Sequence, residues 1–284
     1  MGAIMNIPKI LHLYWGEGRM SWLQTLTVIT FHKQNPDWEI RVYTAIQKLT
    51  DHTSYIPDYT GKDYLPSIKE LPYINWIDVD LHEYGIEDRI PNILRSDILR
   101  HHFLYNDGGM YSDFDVLWIK PIDYLANIRT VGIVPTEYLG ASVCQWNTVS
   151  GFHSAGVLLA RPKHPLYAAT IQECYRIQEN TKAGEGFTYQ AFGPDIFNNM
   201  FPELEETIRK YEDVIGFPYK TFYPYATFCL KELFVETRLY RIDASVVGIH
   251  WFNGHPLAKR FINTGMYIPC SMKEIIELIK ADKL

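Results

Sequence analysis

A chain of 284 residues with 47% hydrophobic side chains can bury one large core or two small ones. Its net charge of −6, with no long run of Lys or Arg, argues against a nucleic-acid partner. No segment approaches the roughly 18–20 apolar residues that a membrane helix needs.

The opening stretch, MGAIMNIPKILHLYW, lacks the basic region, apolar run and small-residue cleavage site of a secretory signal, and Asn6 stands where a myristoylation signal wants Ser or Thr. These features read as a cytoplasmic chain, with peripheral contact to a membrane left open. Ile7 to Tyr14 reads as a buried strand entering a loop at Trp15-Gly16-Glu17-Gly18. Ser21 to His32 suits a helix with Ser21 as its N-cap. Asn35-Pro36-Asp37 marks a turn, and Trp38 to Thr44 alternates as a second strand. Strand, helix and strand at this spacing predict a parallel α/β sheet. Asp51 to Asp80, rich in Pro, Tyr and Asp, predicts only short elements and loops beside a cleft.

A helix starts near Ile93. Ile93, Leu94, Ile98, Leu99, Phe103 and Leu104 point in several directions around a 3.6 period, as in a buried helix. Asp97 and Arg100, three apart, share one face. Asn106-Asp107-Gly108-Gly109 ends this helix, and Met110 to Ile119 follows as a strand stopped by Lys120-Pro121. Further on come a buried stretch at Ala155 to Ala160 and a helix from Leu166 to Glu179. A glycine-rich loop spans Lys182 to Phe187, and a helix opens at Gly193-Pro194-Asp195. Val246 to Phe252 is a late apolar strand, and Lys273 to Lys280 a closing amphipathic helix. With no repeats, low-complexity segments or linkers, residues 1–284 read as one domain. Cys144, Cys174, Cys229 and Cys270 form no CxxC and read as buried thiols rather than disulfides or metal ligands.

Buried charge is costly unless it pairs, binds a metal or binds a ligand. Asp97, Arg100, Asp113 and Asp115 all fall in apolar surroundings, so this stretch points to chemistry. In an extended chain Asp113 and Asp115 face the same way and suit a hard divalent cation such as Mn2+ or Mg2+. Such a cation turns a diphosphate into a leaving group. A surface turn with two solvated acids is the plainer alternative. A phosphatase-type DxDx(T/V) strand end is the other, but Leu117 occupies its fifth position. Asp97 and Arg100 are either a structural ion pair or donors and acceptors to sugar and phosphate. His250, Asn253 and His255 gather in GIHWFNGHP as further candidate ligands. Trp15 is either core or a stacking platform for a base, and its place at a parallel strand end favours the platform.

These residues carry a resemblance. SDILRHHFLYNDGGMYSDFDV, Ser96 to Val116, resembles the DxD sugar-binding region of GT32-type glycosyltransferases and the catalytic domain of the large clostridial glucosylating toxins. PKILHLYWGEG, QNPDWEIRVYT, SAGVLLARPKHPLY, AFGPDIFNN, FYP and GIHWFNGHP resemble flanking blocks of the same family.

The resemblance implies a GT-A fold, an α/β architecture with a Rossmann-like mixed, mostly parallel sheet flanked by helices. Its donor-nucleotide half would run over about 1–120 and its acceptor half over about 121–284. It implies a metal-dependent transferase that retains anomeric configuration, using Mn2+ or Mg2+, a nucleotide-sugar donor and a glycan acceptor. By position, Asp97 and Arg100 would hold the donor sugar, with Tyr111 beside the diphosphate. Asp113 would meet ribose and metal, Asp115 the metal, and Trp15 the base. A UDP-sugar is favoured because Trp15 and the toxin-like motif resemble uridine sites. His255 and Pro256 replace the Ser and Trp of the family's C-terminal run, which leaves the third metal ligand open between His250, Asn253 and His255. A toxin-like effector that glycosylates protein, or a silent nucleotide-sugar or glycan binder, are the alternatives.

Overall fold

A computed structural model describes residues 7–16, 18–47, 59–127, 139–143, 154–182, 184–200, 210–211, 214, 216–237, 242–264 and 269–283. In chain order the first half runs β1 (Ile10–Tyr14), α1 (Trp22–Gln34), β2 (Glu39–Ala45), α2 (Leu65–Lys69), β3 (Ile74–Val79), α3 (Asn92–Asn106), β4 (Gly109–Ser112) and β5 (Val116–Trp118). The second half runs β6 (Leu139–Val143), β7 (Val157–Ala160), α4 (Pro165–Asn180), α5 (Pro194–Met200), β8 (Gly216–Pro218), α6 (Leu230–Phe234), β9 (Gly248–His250), α7 (Pro256–Thr264) and α8 (Ser271–Lys280).

The main sheet has the order β3-β2-β1-β4-β7. Its first four strands are parallel, and β7 runs antiparallel to β4. Side chains alternate across it as a pleat requires. Leu11, Leu13, Ile40, Val42, Met110, Val157 and Leu159 pack with Val28 and Phe31 of α1 on one face. Tyr43, Tyr111, Leu158 and Ala160 pack with residues of α3 and α4 on the other. This is a mixed, mostly parallel sheet flanked by helices. β5 and β9 form a separate antiparallel pair, covered by α6, α7 and α8. β6 and β8 form a second small pair.

Local chemistry explains the boundaries. α1 begins where Ser21 and Gln24 form a reciprocal capping box. α3 ends at Gly108 and Gly109, both at positive φ (67° and 89°), where a Cβ on Gly109 would sit 2.5 Å from the Ile10 carbonyl. Two expectations need correction. Ile74–Val79 is a full strand of the sheet, although 51–80 read only as short elements. It is an edge strand with most side chains at least partly exposed, so its apolar pattern is weak. Met110 to Ile119 is not one strand, because β4 and β5 belong to different sheets. α7 had no counterpart in the sequence reading. Asn6, Cys144 and the start of the 51–80 segment lie outside the described residues, as do Glu17 and Ala183. Among the described residues no helix is long and apolar enough to cross a membrane, and Cys174, Cys229 and Cys270 are free thiols.

Candidate active site

The chain crosses from one sheet to the other at Asp113-Phe114-Asp115. Its backbone is pinned at three points. Asp113 N–H donates to the Gly156 carbonyl (2.9 Å), and the Trp251 N–H donates to the Asp115 carbonyl (2.9 Å). The Thr27 hydroxyl of α1 donates to the Phe114 carbonyl (2.9 Å). The two carboxylates therefore converge through a pinned turn, not by alternation along an extended strand as their spacing suggested.

β9 supplies the next group. Its antiparallel register sets His250 opposite Val116. His250 Nε2 then lies 3.0 Å from Asp115 Oδ1 and 3.9 Å from Asp113 Oδ2. Ligand atoms of Asp113, Asp115 and His250 all fall within 4.8 Å of one another. Tyr223 stacks on the imidazole at 4.9 Å. Burial alone would lower the His250 pKa, but Asp115 and then Asp113 outweigh it and lift it to about 9. Burial would raise the Asp115 carboxyl. The His250 charge and the Asn253 N–H, 2.8 Å from Oδ2, hold it below the usual carboxylate range instead.

The donor set fits a divalent cation on its own chemistry. Two carboxylates and an imidazole together suit a divalent metal cation. Both amide atoms of Asn253 are buried and make no hydrogen bond among the described residues. Asn253 is 1% exposed. His255 stands apart from the three-residue group, its Nδ1 accepting the Leu257 N–H at 3.2 Å.

From the other side α3 contributes Asp97 and Arg100. Arg100 Nη2 contacts Asp97 Oδ1 and lies 3.2 Å from Asp113 Oδ1. Its guanidinium stands 4.6 Å from the Tyr111 ring centroid. Burial pushes the Asp97 carboxyl up to about 7, against the opposing pull of Arg100. Trp15 leaves β1 and meets Phe114 edge-on at 5.2 Å, with its indole N–H buried and unpartnered. It belongs both to the core and to the wall of the site.

All nine residues singled out from the sequence line one cavity of about 600 Å³: Trp15, Asp97, Arg100, Tyr111, Asp113, Asp115, His250, Asn253 and His255. Sequence reasoning missed Gly156, Ser154 and Tyr223 as members of the site. Their only signal was membership of the SAGVLLA and FYP blocks.

Residues 23–131 match the family model described as the glycosyltransferase sugar-binding region containing the DXD motif. Inositol phosphoceramide mannosyltransferase 1 of Schizosaccharomyces pombe is 26% identical over 203 residues, covering 70% of this chain and 53% of that protein. A toxin of Photorhabdus asymbiotica is 22% identical over 213 residues, covering 70% of this chain and 7% of the toxin. The chain thus spans about half of one curated relative and a small part of the other. Among solved structures, the galactosyltransferase LgtC in complex with donor and acceptor sugar analogs has a TM-score of 0.47 at 16% identity, covering 96% of this chain and 95% of that one. PaToxG glycosyltransferase has a TM-score of 0.47 at 17% identity, covering 72% and 73%. The matched family region contains Asp97, Arg100, Asp113 and Asp115 and stops short of His250. On that match, residues 23–131 are similar to the DXD-containing sugar-binding region of glycosyltransferases.

Proposed function

We propose that this protein transfers a hexose from a nucleotide diphosphate sugar to a hydroxyl of a saccharide acceptor, with a divalent cation and with retention of configuration. The observation that carries this reading is the convergence of Asp113, Asp115 and His250 beside the Asp97–Arg100 pair in one cavity. Asp113, Asp115 and His250 would hold the cation, and Asn253 would complete or support the set. The cation, when bound, supplies positive charge to the departing diphosphate.

The chain's own groups do the rest. Arg100 presents a fixed guanidinium to sugar or phosphate oxygens, and Asp97 accepts from sugar hydroxyls. Trp15 offers a face to the base, which favours a UDP-sugar. Fixed charges in a site shielded from water cost no reorganisation as negative charge develops on the leaving group. Among the described residues no carboxylate besides Asp97, Asp113 and Asp115 lines the cavity to act as a nucleophile, so the acceptor hydroxyl attacks from the face the diphosphate leaves. A cytoplasmic setting, with peripheral contact where glycans are assembled, goes with this reading.

A panel of UDP- and GDP-sugars with Mn2+ tests it, with release of free nucleotide as the readout. Binding without turnover of any donor would make the chain a silent nucleotide-sugar protein. The likeness to the Photorhabdus asymbiotica toxin favours a protein acceptor as the second reading, and mass shift of an offered protein substrate separates it from a glycan acceptor.

A further inference from the structure

One nitrogen of Arg100 serves two carboxylates. Nη2 contacts Asp97 Oδ1 and also reaches Asp113 Oδ1 at 3.2 Å. The rest of the guanidinium is tied down. Nη1 donates to the Ala155 carbonyl, and Nε donates to the Ser96 carbonyl at 3.3 Å. The Tyr111 ring lies against it, 4.6 Å away. Arg100 is only 3% exposed, so it has no room to swing aside. Asp113 is correspondingly divided: Oδ1 faces Arg100, while Oδ2 faces His250 at 3.9 Å.

We infer that Arg100 is a fixed competitor for Asp113 that weakens the site for a bare divalent cation and makes cation and donor diphosphate bind cooperatively. This rests on the cation-dependent reading of the site. The physical reason is repulsion. A buried guanidinium close to the cation's own ligand raises the free energy of bringing in a second cation. A diphosphate bound against both cations cancels that repulsion. Each ligand then raises the affinity of the other by the same factor. Asp97 moderates the effect by holding Arg100 from the opposite side.

Titration of Mn2+ followed by the electron paramagnetic resonance of the free ion, with and without UDP, tests this without any turnover. Wild type binds Mn2+ about tenfold more tightly when UDP is present. Arg100→Gln binds Mn2+ alone about tenfold more tightly than wild type and gains less from UDP than wild type does, the direct attraction of cation and diphosphate remaining. Asp97→Asn leaves Arg100 to Asp113 and binds Mn2+ alone about fivefold more weakly. In the Arg100→Gln background, Asp97→Asn changes little, which separates an effect through Arg100 from simple loss of a negative charge. Unchanged or weaker Mn2+ binding in Arg100→Gln overturns the inference. If that variant does not fold, unchanged or tighter binding in Asp97→Asn overturns it. Mn2+ binding in wild type with no shift in either variant removes only this inference. No Mn2+ binding to wild type, with or without UDP, removes the cation reading as well.

Discussion

Gly156 lies directly beneath the Tyr223 hydroxyl: a Cβ on this glycine would come within 2.6 Å of that oxygen. The same Cβ would sit 3.0 Å from Asp113 Oδ2 and 3.2 Å from His250 Cδ2. The position takes glycine because three site residues close over it, not because its backbone needs positive φ. Gly156→Ala must push Tyr223 or the Asp113 carboxylate out of place. A displacement of this order in a site built on fixed geometry costs on the order of 100-fold in rate. We expect kcat/KM for donor turnover to fall by about that factor while the far-ultraviolet circular dichroism stays native. Near-normal turnover in this variant would show that Tyr223 and Asp113 do not need their present positions.

Asp115 is the most deeply committed of the three candidate ligands. Its Oδ2 accepts the Asn253 N–H at 2.8 Å, and its Oδ1 faces His250 at 3.0 Å. Asp115→Ala removes the carboxylate and leaves His250 beside Asp113 alone. We expect Mn2+-dependent donor turnover to drop by at least about 100-fold, with Mn2+ no longer raising the melting temperature. Thermal melts with and without the ion check both halves of that statement, and an unchanged Mn2+ shift would remove Asp115 from the site.

Thr27 and Thr30 of α1 separate site effects from stability effects. Thr27 Oγ1 donates to the Phe114 carbonyl inside the aspartate turn. Thr30 Oγ1 accepts the Trp118 N–H at 3.0 Å, farther along β5. Valine at either position leaves a buried backbone group unpaired, at a cost of about 1–3 kcal/mol. The outcomes differ in activity: Thr27→Val slows turnover, because it frees the turn that carries Asp113 and Asp115, whereas Thr30→Val does not. Urea unfolding and donor turnover measured on both variants give the comparison.

This contrast marks what the sequence could and could not disclose. The Ser21-to-Gln24 cap, the glycine pair closing α3 and the i,i+3 placement of Asp97 and Arg100 are local, so they were legible. The aspartate pair was legible as chemistry but not as geometry. The residues on either side of the aspartates are mostly apolar because β4 and β5 are both fully buried, and nothing in that pattern announces a change of sheet. Buried threonines on α1 gave no sign that they serve the backbone of a neighbouring strand. Gly156 and Tyr223 lie 67 residues apart and meet Asp113 only in the folded chain (223 minus 156). Edge strand β3, partly exposed on its side chains, lacked the pattern that burial imposes on its neighbours.

Acid should destabilise the protein chiefly through its buried histidines. Burial holds His12 and His102 down to about 4 and His101 to about 3. His101 is fixed in a neutral form, with Nε2 2.9 Å from the Phe192 carbonyl and Nδ1 3.1 Å from the Thr170 hydroxyl. Below pH about 6.5 the unfolded chain takes protons on these three histidines that the folded chain refuses, so stability falls as pH falls. Asp97, raised to about 7, acts in the opposite sense over the same window. Three protons less one leaves a net of two, or up to about 3 kcal/mol per pH unit between pH 6 and 4. Urea unfolding from pH 7.5 to 4.5 measures the slope, and His101→Gln should reduce it by about one proton. A flat profile would mean that these imidazoles are not buried neutral.

Asn253 sets stability against function. Its side chain is buried, and neither amide atom has a partner among the described residues, although its backbone N–H is engaged with Asp115. An unpaired buried amide costs the ligand-free fold about 1–3 kcal/mol. Nothing in folding alone returns that cost, so a bound ligand is the natural partner for the amide. Asn253→Leu keeps the volume and removes the unpaired atoms. The ligand-free variant should therefore melt a few degrees higher than wild type, about 2–4 °C for each kcal/mol recovered in a chain of this size. It should at the same time lose the further stabilisation that Mn2+ and nucleotide confer together, along with donor turnover. A variant that melts lower than wild type without ligand would mean the amide is satisfied in the ligand-free fold, and that Asn253 is part of the scaffold, not part of the site.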